Sequence, residues 1–372
     1  MLKKIIFFPF ILCNIMALSQ NPKLSPTTKV SVFTCDRGQE LYSTFGHTAL
    51  RIHDSVNELD VVYNYGYFDF STKDFYFKFV KGDLQYFMNV TSYEDFIFEY
   101  QTDKRNVVEQ TLNLPLEKKQ ALFDALNTSL LSKERYYTYK FIDRNCTSMI
   151  VDKINGLYDK KVIEKVDDKS ISYRTVLYPY FENFFWYKLG INIIFGAKTD
   201  TNAEKLFLPI ELLNSLDKAK IGGNPLVSKK ETVIQGDIPQ TAFSFFNSIY
   251  LICAILLILM AINKRVLLLS YLFICGILGL FLCLVGFFSE HQELLWNYNA
   301  LLFNPLFLLI PFVKSTFYKK LTFTLLGMLL LYILVMITKP HLLIMLPFIL
   351  TNLYILLKLN GRNPLKLLSA IK

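Results

Sequence analysis

The sequence predicts an α+β exported domain followed by an all-α membrane domain of five helices. Three observations carry that expectation. Residues 1–19 have a basic start, an apolar run and a small-residue end; residues 20–240 are an ordinary charged segment; and residues 243–359 are mostly Leu, Ile, Phe and Val. The whole chain has 372 residues, 52% of them hydrophobic, which is too apolar for an average soluble enzyme and is concentrated in the second half.

The leader "MLKKIIFFPFILCNIMALSQ" places Lys3 and Lys4 before the apolar run and Ala17 and Ser19 at its end, the pattern of a secretory signal peptide cleaved before Gln20. A lipoprotein signal using Cys13 fits poorly, because bulky Leu12 stands where a small residue is needed. Residues 20–217 are then exported as one domain, and residues 218–242 read as a polar linker.

Five spans follow, at 243–262, 266–288, 295–313, 321–338 and 341–359. Each approaches the roughly 20 residues that cross a hydrocarbon core. If the first domain is outside, Lys264, Arg265, Lys314, Lys319, Lys320, Lys358, Arg362, Lys366 and Lys372 lie inside, with 360–372 as a cytoplasmic tail. The outer gaps hold only Lys339 as a strong base, so charge asymmetry agrees with the leader. The net charge of +9 thus orients the chain and does not point to nucleic acid.

Within the exported segment, "KVSVFTC" (29–35), "HTALRIHD" (47–54) and "DVVYNYGYFDF" (60–70) read as strands, with "SVNE" as a hairpin loop. The aromatic stretch from 71 to 101 mixes short helix and strand. "PLEKKQALFDALNTSLL" (115–131) is an amphipathic helix with Pro at its first turn, "RYYTYKF" (135–141) a strand, and "CTSMIVDKI" (146–154) a helix headed by Cys146.

A thiol at a helix N-terminus gains from unpaired N–H groups and a partial positive charge, which favour thiolate, and Arg144 would act in the same sense. Its activation requires an imidazole. The exported segment offers His47 and His53, about 20 Å apart along one strand, so both cannot serve one sulfur. His47, after Gly46, is the better base, and His53 reads as a solvated loop residue. Asn64 is the first choice to orient the imidazole, ahead of Asp69; Tyr42 is a candidate oxyanion donor. Cys35 and Cys146, the two exported cysteines, equally fit a disulfide. In the outer gap and the start of the third span, Ser289, His291, Asn297, Asn299 and Asn304 are costly at membrane depth. They fit either a substrate-binding role or a buried hydrogen-bond network.

The stretches "ELYSTFGHTALRI", "YNYGYFDF", "DRNCTSMI", "SYRTVLYPYF", "KTDTNAEKLFLP" and "SEHQELLWNYNALLFNPLFLL", in this order, resemble the Lnb family of lipoprotein N-acyltransferases. The resemblance implies a circularly permuted papain-like (NlpC-like) exported domain, with His47 as base and Cys146 as nucleophile. It implies acyl transfer through a thioester, without a cofactor, at the inner membrane. The donor would be a membrane phospholipid and the acceptor a diacylated lipoprotein. Two other readings stand beside it: a cysteine peptidase or amidase acting on cell-wall peptides, and a non-catalytic membrane scaffold with a 35–146 disulfide.

Overall fold

In the computed structural model, residues 21–236 and 243–360 are described. The leader and the tail beyond Asn360 lie outside them.

Alternating apolar residues build a seven-stranded antiparallel sheet. In chain order, β1 (Lys29–Cys35), β2 (His47–Asp54) and β3 (Leu59–Tyr67) form a meander. The helix α1 (Phe75–Lys81) leads to β4 (Gln85–Ser92), α2 (Tyr93–Thr102) to β5 (Val107–Leu112), and α3 (Leu116–Leu131) to the short β6 (Tyr136–Thr138). Next come α4 (Cys146–Asn155), α5 (Tyr173–Leu177), α6 (Phe185–Ile194) and α7 (Pro209–Lys218). A two-strand turn, β7 (Lys220–Ile221) and β8 (Asn224–Pro225), then precedes β9 (Val227–Ile234). The sheet order is β6-β4-β3-β2-β1-β5-β9.

Strand alternation gives the sheet two apolar faces. Val32, Leu50 and Ile52 pack with Leu122, Leu126, Ile150, Ile154, Leu212 and Leu216 from α3, α4 and α7. On the opposite face Phe33, Cys35, Ala49 and Val62 pack with Phe96 and Tyr100 from α2. The stretch read as a linker is part of this sheet: β9 pairs along β5 and covers that edge. Its exposed side chains, including Lys229, Lys230 and Glu231, gave it the polarity of a linker.

The membrane half departs from five helices. Three are long and apolar enough to span, α9 (Arg265–Phe288), α10 (Ser315–Met336) and α11 (Leu342–Asn360). The preceding α8 (Ile249–Ile262) is apolar but shorter; its 14 residues reach about 21 Å. The expected helix over 295–313 is replaced by short 3-10 turns at Gln292–Leu294, Tyr298–Leu301 and Pro305–Leu309. Its asparagines explain part of this: Asn297 and Asn304 accept N–H groups two residues ahead and so cap the starts of the second and third turns, where one continuous helix would need helical backbone. Such backbone survives among spanning helices only when protein covers it. Here α9 supplies the cover, because a Cβ on Gly279 would stand 1.5 Å from the Phe303 carbonyl oxygen.

The halves meet around Arg174, which is fully buried. Its Nε donates to Asp200 at 2.8 Å, and its terminal nitrogens donate to Asn192, to the Phe195 and Gly196 carbonyls and to Thr199. Asp200 in turn accepts the Tyr298 hydroxyl at 2.6 Å and pairs with Lys339 at 3.5 Å. The Tyr298 hydroxyl also lies 3.0 Å from His341. The fragments "SYRTVL", "KTDTN" and "NYNALL" thus converge on one buried guanidinium.

The Gly279 contact yields a direct expectation. Gly279→Ala lowers the thermal midpoint of the purified full chain by several degrees, as a core overpacking of roughly 1–3 kcal/mol would. Gly327→Ala, in α10 with open space at its Cβ, leaves the midpoint unchanged in the same thermal scan.

Candidate active site

The head of α4 is fixed before any chemistry is considered. Asn145 caps the helix: its Oδ1 accepts from Ser148 N at 2.9 Å, and Ser148 Oγ accepts from Asn145 N at 2.9 Å. The same amide donates to the Phe141 and Phe207 carbonyls, both at 2.8 Å. Such a cap is worth about 1 kcal/mol, and here it also holds the residue before the thiol. The "NCTS" run therefore encodes a capped helix whose first residue is Cys146.

That helix lies against β2 and β3. The Thr147 and Thr48 hydroxyls meet at 2.9 Å in a buried contact. The Cys146 sulfur lies 4.0 Å from the Thr147 hydroxyl, with the backbone N–H groups of Thr48, the residue next to His47, and of Thr147 in its surroundings. On β3, a Cβ at Gly66 would stand 3.8 Å from that of Cys146, so the bulge between Asn64 and Tyr67 leaves room for the thiol.

His47 opens β2 opposite Cys35 of β1. Gly46 is required by the approach, since its Cβ would fall 2.5 Å from the Cys35 carbonyl oxygen. The His47 Nε2 lies 3.2 Å from Asn64 Oδ1. Asn64 is itself oriented, its amide nitrogen donating to the Val62 carbonyl at 3.2 Å and to Thr91 Oγ1 at 3.4 Å. With Asn64 Oδ1 accepting, the proton sits on Nε2 and leaves Nδ1 as the basic nitrogen.

Burial drives the His47 imidazole down to about 4, against the Asn64 hydrogen bond. Burial also pushes the Cys146 thiol up, and the surrounding N–H groups only partly offset it. This corrects the expectation of a lowered thiol. Desolvation of the thiolate outweighs the helix terminus, and Arg144 stacks over the Tyr137 ring at 5.1 Å. At neutral pH the resting pair is therefore thiol and imidazole, both uncharged.

The remaining candidates are placed as follows. Cys35 and Cys146 are both free thiols; Cys35 is buried, with its thiol pushed up to about 12 by burial and hydrogen-bonded to Tyr100. His53, six positions along β2 from His47, lies 3.2 Å from Asp60. Asp69 is spent on Ser71. Tyr42 is exposed, its ring edge-on to Phe68 at 6.1 Å.

The five outer polar residues have a different arrangement from a head-group site, since the chain itself takes up their hydrogen-bonding groups. Ser289 and His291 donate to, or face, the Val80 and Phe79 carbonyls of α1, each at 2.8 Å. Asn297 and Asn299 donate to carbonyls at the end of α6, and Asn299 accepts the Tyr332 hydroxyl at 2.8 Å. Asn304 caps the last 3-10 turn and reaches the Met328 sulfur. Arg174 and Asp200, which organise this junction, are structural residues that sequence reasoning missed. The signal was their presence in the quoted fragments, which no local spacing rule interprets.

A neutral pair makes a distinctive prediction. Alkylation of Cys146 by iodoacetamide, followed by peptide mass spectrometry, climbs continuously from about pH 6 to about pH 9, because the thiolate is the reactive form. A rate already at its plateau in mild acid would mean a preformed thiolate–imidazolium pair and contradict this electrostatic assignment.

Residues 20–177 match the family model described as "Lnb N-terminal periplasmic domain". Neither a curated protein nor a solved structure gives a match. The chain thus joins a segment, residues 20–177, that is similar to the Lnb N-terminal periplasmic domain to a second half in which, among the described residues, three helices are long and apolar enough to span a membrane.

Proposed function

We propose that the protein is a lipoprotein N-acyltransferase of the cytoplasmic membrane, with a permuted papain-like exported domain and a multi-pass membrane half. The observation that supports this reading is the buried Thr48–Thr147 hydroxyl contact of 2.9 Å, which seats the head of α4, with Cys146, on the strand that begins with His47 and its partner Asn64.

The steps follow from the neutral pair. His47 Nδ1 takes the thiol proton as the sulfur attacks an ester carbonyl of a membrane phospholipid. The N–H groups of Cys146 and Thr147 in the first turn of α4, which have no partner within the helix, are the fixed donors available to the developing oxyanion. Tyr42, exposed beside Phe68, is the hydroxyl that would reach that oxygen from outside. The imidazolium returns its proton to the leaving alkoxide, a lyso-lipid departs, and the acyl group remains as a thioester on Cys146. The free α-amino group of a diacylglyceryl-cysteine then attacks, losing a proton as the thiol is regenerated and an amide forms. Thioester is suited to this exchange because thiolate leaves readily towards an amine.

Ser289, His291, Asn297, Asn299 and Asn304, expected to bind substrate, serve it indirectly in this reading by holding the exported domain over the membrane. A peptidase or amidase acting on cell-wall peptides has no use for that attachment.

The test is mass spectrometry of lipoprotein N-terminal peptides from cells carrying each variant. Cys146→Ala and His47→Ala abolish N-acylation. Asn64→Ala lowers it by about 10- to 100-fold through loss of imidazole orientation, and His53→Ala changes it little. Unchanged N-acylation in Cys146→Ala removes the transferase reading. The sign of the pH dependence follows from His47: acyl transfer needs the neutral imidazole, so it is present above about 4 and lost as pH falls through that value.

A further inference from the structure

We propose that α1 is an interfacial helix that lies in the outer lipid leaflet and admits acyl chains towards Cys146; its contact with lipid is independent of the transferase reading, and the delivery role rests on it.

The helix is FYFKFVK, and none of its side chains is buried. Tyr76, Phe77, Phe79 and Val80 are exposed, Tyr76 by 76% and Phe77 by 59%. An apolar helix so short gains nothing from packing on the sheet if its rings point away, and such a patch calls for an apolar partner. The last turn carries Lys78 and Lys81; Lys81 pairs with Asp83 at 2.5 Å, and Lys78 is of the type that reaches polar head groups from an apolar helix.

The partner is identified by where α1 is fastened. Its last carbonyls, which no helix can satisfy internally, are taken by residues that directly follow the spanning helix α9. Val80 O accepts Ser289 Oγ at 2.8 Å, Lys81 O accepts Glu290 N at 2.6 Å, and Phe79 O lies 2.8 Å from His291 Nε2. Gly82 permits this, with φ +80° and a Cβ position only 3.0 Å from the His291 ring. Phe77 meets Phe288, the final residue of α9, edge-on at 5.0 Å. Phe287 beside it is 91% exposed. The exposed rings of α1 thus continue the apolar surface of a spanning helix at the level where that helix leaves the bilayer, and phospholipid is the occupant that surface meets.

Inward from α1 the aromatic surface does not stop. Phe75 packs on Phe68 at 5.8 Å, Phe68 on Tyr86 at 5.3 Å, and Tyr86 stacks on Tyr139 at 4.5 Å. Tyr139 and Cys146 both pack against the same apolar core. A row of rings therefore links the bilayer level to the surroundings of the thiol.

The experiment places a photoreactive benzoylphenylalanine at Phe77 of the full-length chain in phosphatidylethanolamine–phosphatidylglycerol vesicles, with Phe98 as control. Phe98 is 71% exposed on α2, across the sheet from α4. Irradiation gives a phospholipid adduct at position 77 and none at 98, whether or not Cys146 is replaced by Ala. No lipid adduct at 77, or equal adducts at both, overturns the membrane contact. For delivery, the double variant Phe77→Ser, Phe79→Ser lowers acyl loading of Cys146 by about tenfold or more, while its alkylation by water-soluble iodoacetamide stays unchanged. Unchanged loading, or a parallel fall in alkylation, overturns delivery. If lipid adducts form at 77 while lipoprotein N-acylation ignores Cys146→Ala, the transferase reading fails and the interfacial helix stands.

Discussion

The proposed chemistry depends on how the head of α4 is seated on β2. The buried Thr48–Thr147 contact of 2.9 Å holds the residue after the thiol against the strand that begins with His47. A hydroxyl pair of this kind contributes only about 1 kcal/mol. Its importance is positional, because it ties the two residues flanking the reactive groups to one another. The same seating leaves both groups half-buried, and desolvation decides their charge. Desolvation works against thiolate and against imidazolium alike, so in the proposed reaction proton transfer waits for the substrate and accompanies attack by the sulfur. A thiol kept protonated at rest is also less exposed to oxidation in an oxidising compartment.

A second constraint comes from the substrates that a bilayer would supply. The site must stay at the membrane surface, and the chain achieves this with two joints. One is the buried Arg174–Asp200 pair with Tyr298, Lys339 and His341 around it; truncating one partner of such a pair costs about 3–5 kcal/mol. The other is the capture of the α1 carbonyls by Ser289, Glu290 and His291. Asparagines that looked like a head-group site from composition serve these joints, because their amides are consumed by the backbone of α6 and of the irregular segment. Polar groups at membrane depth need partners, and a neighbouring domain supplies them as well as a ligand would.

Much of the fold was legible because strand alternation and caps are local signals. The bounds of β1 and β2 coincide with the stretches 29–35 and 47–54, and α4 begins at Cys146. The proximity of Asn64 to His47 was legible too, from adjacency of two strands joined by a short hairpin. What escaped is non-local. β9 looks like a linker because its side chains face solvent and its pairing partner β5 lies over a hundred residues away. The 295–313 stretch has the composition of a span, but its turns are set by Asn amides and by the space at Gly279, neither of which hydropathy registers. The direction of the thiol shift was misjudged because a helix terminus is visible in sequence and burial is not.

The most direct test of the account is to look for the covalent intermediate. The purified full chain is incubated with phospholipid of defined acyl chains and no acceptor, digested, and the Cys146 peptide is weighed. The account predicts a hydroxylamine-labile acyl adduct on Cys146 that is absent in His47→Ala. An acyl adduct on a different residue, or a Cys146 adduct that forms equally without His47, would contradict it.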